Sequence, residues 1–391
     1  MNQFNSSNMK NIIAAFFLLP LLFLLSNKKT LAQDSSRIRI SLLTCTPGEE
    51  LYSIFGHSAI RIIDSNNVAD YVFNYGTFNF DDEDFYLKFT RGKLLYFVSI
   101  ERSDDFINAY ALDGRGITEQ VLHFTSEEKT NIKKALIENL KEENKYYKYD
   151  FFLDNCTTRL RDIISKNKSP EAELPAVMSS QTKFREAIHE YLNKGGQYWS
   201  KLGIDLLLGL PADKLMTASE QAFLPDNLMK SIDSCKNHPL VEAKTILFKA
   251  PIHTHSSSIF TPLFVLCIFS LFHIMISLLK NQLAMKITCY MDGFIFFITG
   301  LLGILFILMW TVTDHSMTKY NFNLLWAVPT NTIACFFIGK KNKHFKKYFL
   351  LLSTLLTLLI LAWCFIPQQL NISLIPFVML LSYRSYKISI K

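Results

Sequence analysis

The chain has 391 residues, and its 41 Lys and Arg against 34 Asp and Glu leave a modest net charge of +7. An apolar share of 49% is near the globular average, but residues from Gln33 to Ala250 are mixed and charged, whereas Leu, Ile and Phe dominate from Ser258 onward. The basic excess falls largely in short loops between apolar runs, the mark of membrane topology and not of nucleic-acid binding, which calls for a basic patch interleaved with aromatics.

The N-terminus reads Lys10, an apolar run from Asn11 to Leu25, and a polar stretch ending Leu31-Ala32-Gln33. A basic start, a short apolar core and a small residue at the exit describe a secretory signal over residues 1–33, cleaved after Ala32. An uncleaved anchor helix is the alternative, and no cysteine stands at the exit to carry a lipoprotein anchor. Either way, residues 34–250 are expected to be exported.

Ile38 to Thr44 alternates as a strand, and Pro47-Gly48 breaks it. The β-branched enrichment from Ala59 to Ile63, the Ser65-Asn66-Asn67 turn and the return from Asp70 to Tyr75 predict a hairpin. Pairing about that turn brings Asn74 and Tyr75 opposite His57. A further strand is predicted over Lys93 to Ile100. Ser126, with Glu128 and Lys129, opens an amphipathic helix to about Asn144, with Ile132, Leu136 and Leu140 at helical spacing.

The aromatic run that follows stops at Asp154-Asn155, both good N-cap residues, and Leu160, Ile163 and Ile164 continue as a helix. Cys156 then lies in a first helical turn, where free N–H groups and the helix dipole favour an anion and lower a thiol pKa. A histidine on a neighbouring strand completes a thiolate–imidazolium pair, and His57 is the candidate. Equally, Cys156 is an inert buried thiol and His57 a satisfied core histidine. The other cysteines form no disulfide framework: Cys267, Cys289, Cys335 and Cys364 lie in or beside apolar spans, and only Cys45 and Cys235 join Cys156 in the soluble part. No Cys/His cluster has zinc spacing, and His253 and His255 stand in a linker without a partner.

Apolar runs at 258–279, 290–310, 322–339, 348–366 and 370–386 predict about five transmembrane helices. Pro329 interrupts the third, and the fifth is short and contains Pro376. Lys280 and Lys286, then Lys340, Lys341, Lys343, Lys346 and Lys347, then Arg384, Lys387 and Lys391 fall on one side. Five spans starting from outside place all of them in the cytoplasm. The outward loop carries Thr313-Asp314-His315-Ser316 and Asn321, with Asn323 just inside the next span, and Trp310 and Trp326 are expected to flank it as interfacial aromatics. These polar residues are either ordinary interface residues or a site for a phosphate headgroup or an amine.

The order of a histidine on a hairpin strand, a polar residue on the return strand and Asn155-Cys156 opening a helix resembles circularly permuted NlpC-type thiol enzymes. Those are papain-like folds that include the lecithin:retinol acyltransferase group. That resemblance implies His57 as base, Asn74 as orienting group and Cys156 as nucleophile. The acyltransferases of that group have a second histidine where this chain has Asn74, and Tyr75 competes for the orienting role. A closer resemblance covers nearly the whole chain. Phe55-Gly56-His57-Ser58-Ala59, Phe73-Asn74-Tyr75-Gly76-Thr77-Phe78, Asp154-Asn155-Cys156-Thr157-Thr158-Arg159, Phe223-Leu224-Pro225 and Asn321-Phe322-Asn323-Leu324-Leu325-Trp326 are similar to the Lnb family of Bacteroidota, which are lipoprotein N-acyltransferases.

The resemblance implies an α+β fold: a permuted papain-like domain over 34–250, then an all-α membrane bundle over 251–391. It implies transfer of an acyl chain from a phospholipid, through a Cys156 thioester, to the N-terminal amine of a diacylated lipoprotein, with no cofactor and no metal. Tyr75, Asn155, Arg159, His315, Asn321 and Asn323 are the expected substrate contacts. The protein is then a multi-pass inner-membrane protein with its thiol domain on the periplasmic side. A cell-wall peptidase or amidase and a non-enzymatic envelope assembly factor are the alternatives.

Overall fold

The computed structural model describes residues 37–235, 239–251, 258–340 and 342–390. The expected signal sequence and the His253–His255 pair lie outside them. Residues Ile38 to Lys391 pack as one compact unit.

Seven antiparallel strands form one sheet: β1 (Ile38–Cys45), β2 (His57–Asp64), β3 (Ala69–Thr77), β4 (Leu95–Arg102), β5 (Ile117–Leu122), β6 (Tyr146–Lys148) and β7 (Val241–Phe248), in the order β6-β4-β3-β2-β1-β5-β7. The helices packed with it are α1 (Phe85–Thr90), α2 (Ser103–Leu112), α3 (Ser126–Asn139), α4 (Cys156–Lys166), α5 (Phe184–Lys194), α6 (Tyr198–Leu207) and α7 (Pro225–Asp233). β1 lies inside the sheet and is buried on both faces except at Arg39, so that even its polar Ser41 and Thr44 are covered.

On one face Ile40, Leu42, Ile60, Ile62, Phe73 and Tyr75 meet Ile132, Leu136, Leu160 and Ile164 of α3 and α4. On the other, Leu43, Cys45, Ala59 and Val72 meet Phe106 of α2. At about 25 cal/mol per Å² of apolar surface, such two-sided burial dominates the stability of the sheet. The predicted hairpin forms, but its register runs Asp64↔Ala69 to Ile60↔Phe73. Continued, this sets Asn74 across from Ala59, and the period of two puts His57 and Asn74 on one face and Tyr75 on the other. The helix predicted to Asn144 starts at Ser126 on a Thr125–Glu128 capping box but stops at Asn139. α1, α2 and the helices between 184 and 233 add to the expected elements, and α5 and α7 are amphipathic, each with one buried face.

The C-terminal part is helical: α8 (Pro262–Leu278), α9 (Gln282–Thr311), α10 (Lys343–Leu361) and α11 (Ile375–Ile390). Among the described residues, α9 and α10 are long and apolar enough to cross a membrane, and α8 is apolar but shorter. The run 322–339 is not one helix. It breaks into short turns at Phe322–Leu325, Asn331–Ala334 and Cys335–Phe337, with Pro329 between them. Irregular backbone at such a place needs protein around it. Here it lies so close to α9 that a Cβ on Gly303 would stand 2.0 Å from the Ala327 carbonyl oxygen.

Two expectations for this part are corrected. Arg384 is not a loop residue: it is buried in α11 and donates to both carboxylate oxygens of Asp292 in α9, at 2.8 and 2.7 Å. Trp326 is not an interfacial aromatic either. It is a buried core side chain whose Nε1 donates to Asn323 Oδ1 at 2.9 Å, whereas Trp310 packs on Tyr320 with ring centroids 5.1 Å apart.

Candidate active site

Asn155 caps α4: its Oδ1 accepts from the Thr157 and Thr158 amides, both at 2.8 Å. Its Nδ2 donates to the Phe151 and Phe223 carbonyls at 2.7 and 3.0 Å. Every polar atom of this buried side chain is therefore spent on fixing the helix start. The cap takes the second and third amides of the helix and leaves that of Cys156, the first residue, for a ligand.

The Ser58 amide and the His57 ring both act on the Cys156 thiol and favour its charged form. Thr157 Oγ1 stands 3.7 Å from the sulfur and donates to Ser58 Oγ at 3.1 Å. His57 opens β2 directly after Gly56, whose φ of +79° and the Cys45 carbonyl, 2.7 Å from where a Cβ would sit, admit only glycine. His57 Nε2 donates to Asn74 Oδ1 at 2.6 Å, which leaves Nδ1 for the sulfur. Asn74 Nδ2 reaches Glu101 at 3.4 Å. The amide thus fixes both ring plane and tautomer.

Burial alone would push the Cys156 thiol up. The His57 charge and hydrogen bond, then the Ser58 amide and Thr157 hydroxyl, outweigh it and bring the pKa down to about 7. Burial likewise pulls His57 down. The Cys156 charge and the bonds to Cys156 and Asn74 exceed that and the repulsion of Arg115, so its pKa lies above the usual value. Cys45 is the internal control. It is also fully buried, but burial dominates over Arg115 and a Tyr110 hydrogen bond, and its pKa is raised far above that of a free thiol. A thiol close to neutrality is nucleophilic, and the other is inert.

Above the thiol lies a cavity of about 700 Å³. Phe78, Tyr96, Tyr149, Phe151, Phe223 and Leu224 give it an apolar wall, and Arg115 and His315 also line it. Tyr110 stacks over His57 at 6.3 Å, with the rings 12° from parallel. His315 comes from the loop after α9; its Nε2 lies 3.2 Å from the Phe89 and Thr90 carbonyls of α1. Lys148 of β6 pairs with Asp314 at 3.0 Å. Among the described residues no group of His, Cys, Asp and Glu could hold a metal ion.

The other expected contacts are placed elsewhere. Tyr75 projects to the opposite face, where its hydroxyl accepts from Asn139 Nδ2 at 2.7 Å, so it does not orient His57. Arg159 pairs with Asp154 and lies 3.5 Å over the Tyr147 ring, away from the cavity lining. Asn321 and Asn323 are buried and dock the membrane part onto α6: Asn321 Nδ2 donates to Leu206 O at 2.7 Å and Asn323 Nδ2 to Asp205 O at 3.1 Å. Sequence reasoning missed Tyr110 and Arg115, whose place comes from the fold around the sheet, and gave Ser58 no role although it stands in the motif Phe55-Gly56-His57-Ser58-Ala59.

The structure thus brings together a buried thiol, a histidine held by an asparagine, and an apolar chamber that reaches His315 in the loop after the long apolar helix α9. The family comparisons match most of the chain. The Lnb N-terminal periplasmic domain matches residues 26–189, and the Lnb transmembrane domain matches residues 254–391. The chain belongs to the Lnb family and is a membrane protein with a periplasmic domain. No curated protein and no solved structure matches it.

Proposed function

We propose that the chain is a lipoprotein N-acyltransferase, with a permuted papain-like domain over 34–250 on the periplasmic side of the inner membrane and about five spans within 251–391. The observation that carries the proposal is the Cys156 thiol, brought to about 7 beside His57 and opening into an apolar chamber of about 700 Å³. His57 takes the thiol proton, and the thiolate attacks an ester carbonyl of a phospholipid. The Cys156 amide holds the oxyanion, a contribution of roughly 3 kcal/mol per donor where such bonds are well placed. Collapse expels the lysophospholipid alkoxide, which His57 protonates, and leaves a thioester on Cys156. The α-amine of a diacylated lipoprotein then attacks the thioester. His57 takes the amine proton as the thiolate leaves, and an amide is formed.

Thioesters react with amines more readily than oxygen esters do, which suits a Cys nucleophile to amide formation. The chamber wall supports a lipid donor over a cell-wall peptide, which needs an open polar groove. α1 supports the bilayer as the source. It exposes Tyr86, Leu87 and Phe89 next to His315 of the membrane part, an apolar patch of the kind that meets a partner or a membrane. Mass spectra of lipoprotein N-termini from cells with and without the protein test the proposal. An N-acyl group present only with the protein is expected, and an identical N-terminus in both would sink it.

A further inference from the structure

Arg61, Arg159, Arg185 and Arg384 each sit against a carboxylate. Arg115, between α2 and β5, does not. Its Nε donates to the Thr46 carbonyl at 3.0 Å, and its guanidinium carbon lies 4.5 Å from the Tyr110 ring centroid. It makes no ion pair among the described residues, and its Nη2 is buried without a hydrogen-bond partner. A buried guanidinium nitrogen with no acceptor is costly, and the cost is offset when an anion arrives. Tyr110 links it to the reacting centre, since the same ring stacks on His57.

Arg115 also stands at a boundary. It lines the apolar chamber over Cys156 and a second cavity of about 680 Å³. The charged residues lining that second cavity are, besides Arg115, the carboxylates Glu49, Asp113, Glu190 and Asp226 and the ammonium groups of Lys194 and Lys230. In a glycerophospholipid the acyl ester and the phosphate hang from one glycerol. A lipid with its ester at Cys156 and its tail in the apolar chamber must therefore set its phosphate close by, on the polar side.

We propose that Arg115 is the seat of the donor lipid's phosphate, with the acyl chain in the apolar chamber and the headgroup directed into the polar cavity. This rests on the phospholipid-donor reading above. The planar guanidinium suits a phosphate oxygen better than an ammonium does, and its stack on Tyr110 fixes its plane.

The test uses the full-length protein in detergent and the rate of Cys156 alkylation by iodoacetamide. The protectants are an ether-linked phosphatidylglycerol, a dialkylglycerol with the same chains, and inorganic phosphate. The ether phospholipid should protect at a concentration about tenfold or more below the dialkylglycerol, the size of a charge-assisted hydrogen bond. Arg115→Met should erase that gap, and Arg115→Lys should keep part of it. A gap unchanged in Arg115→Met would place the phosphate elsewhere. Equal weakening of both lipids would make Arg115 a packing residue acting through Thr46 and Tyr110. Protection by inorganic phosphate as strong as by the ether phospholipid would mark a free-anion site, and the lipid assignment would fall. Ether lipids cannot be transferred, so these outcomes hold whether or not the protein is an acyltransferase; that reading fails separately, by absence of a thioester.

Discussion

Two polar clusters of the molecule, one around Cys156 and one where Asn321 and Asn323 meet α6, are both rich in asparagine. In the first, Asn74 and Asn155 hold His57 and the start of α4, the cap leaves the Cys156 backbone amide unused, and Cys156 lines an open cavity. In the second, Asn321, Asn323 and Gln368 bond the carbonyls of Asp205 to Leu208, and Asp205 itself bonds Arg185, His189 and Asn371. Nothing is left over there. What distinguishes a site from a clamp here is unspent capacity beside an open cavity, not residue type.

The largest effect should come from removing the thiol that lines the cavity. Cys156→Ser should lower N-acylation by about a thousandfold or more, whereas Cys45→Ser and Cys235→Ser should not abolish it. Full activity in Cys156→Ser would erase the contrast between the clusters.

His57→Ala comes next, with an expected loss of about a hundredfold or more. It also carries a pH signature. The reactive thiolate appears as pH rises through the thiol pKa, so iodoacetamide should label Cys156 with a midpoint near pH 7 in the native protein. Without the imidazole, burial acts unopposed by its charge, and the midpoint should move upward. A midpoint that stays put would mean that the helix start alone activates the thiol.

Asn74→Ala should cost less than His57→Ala, because it loosens the ring while leaving the base in place. The clamp should respond differently in kind. Asn323→Ala strands the buried Trp326 N–H and should cost about 1–3 kcal/mol of stability. Thermal unfolding should shift down while the labelling midpoint of Cys156 stays near 7. A shifted midpoint with unshifted unfolding would move Asn323 into the site.

The site was legible where its signals are local. An Asn-Cys pair ahead of a helical pattern fixes a cap, and a hairpin turn places a histidine near its return strand. Asn74 followed from the same hairpin. Tyr75 could be separated from it only by register, because one step along a strand reverses the face. The aromatic chamber, Tyr110 and Arg115 come from segments far apart in sequence. The membrane loop misled in an instructive way: Asn321 and Asn323 look like ligand contacts, but a polar residue in an apolar run serves equally to satisfy exposed carbonyls at a docking surface. The run 322–339 failed as a helix because Pro329 and the buried asparagines favour broken turns packed on α9. His315 alone of that loop reaches the cavity.

The most direct test is the intact mass of the purified full-length protein after incubation with phospholipid and no amine acceptor. One added fatty acyl group is expected on Cys156, released by neutral hydroxylamine as a thioester is, and missing in His57→Ala. Acceptor-dependent product with no adduct on Cys156, even in rapid-quench samples, would contradict transfer through a Cys156 thioester.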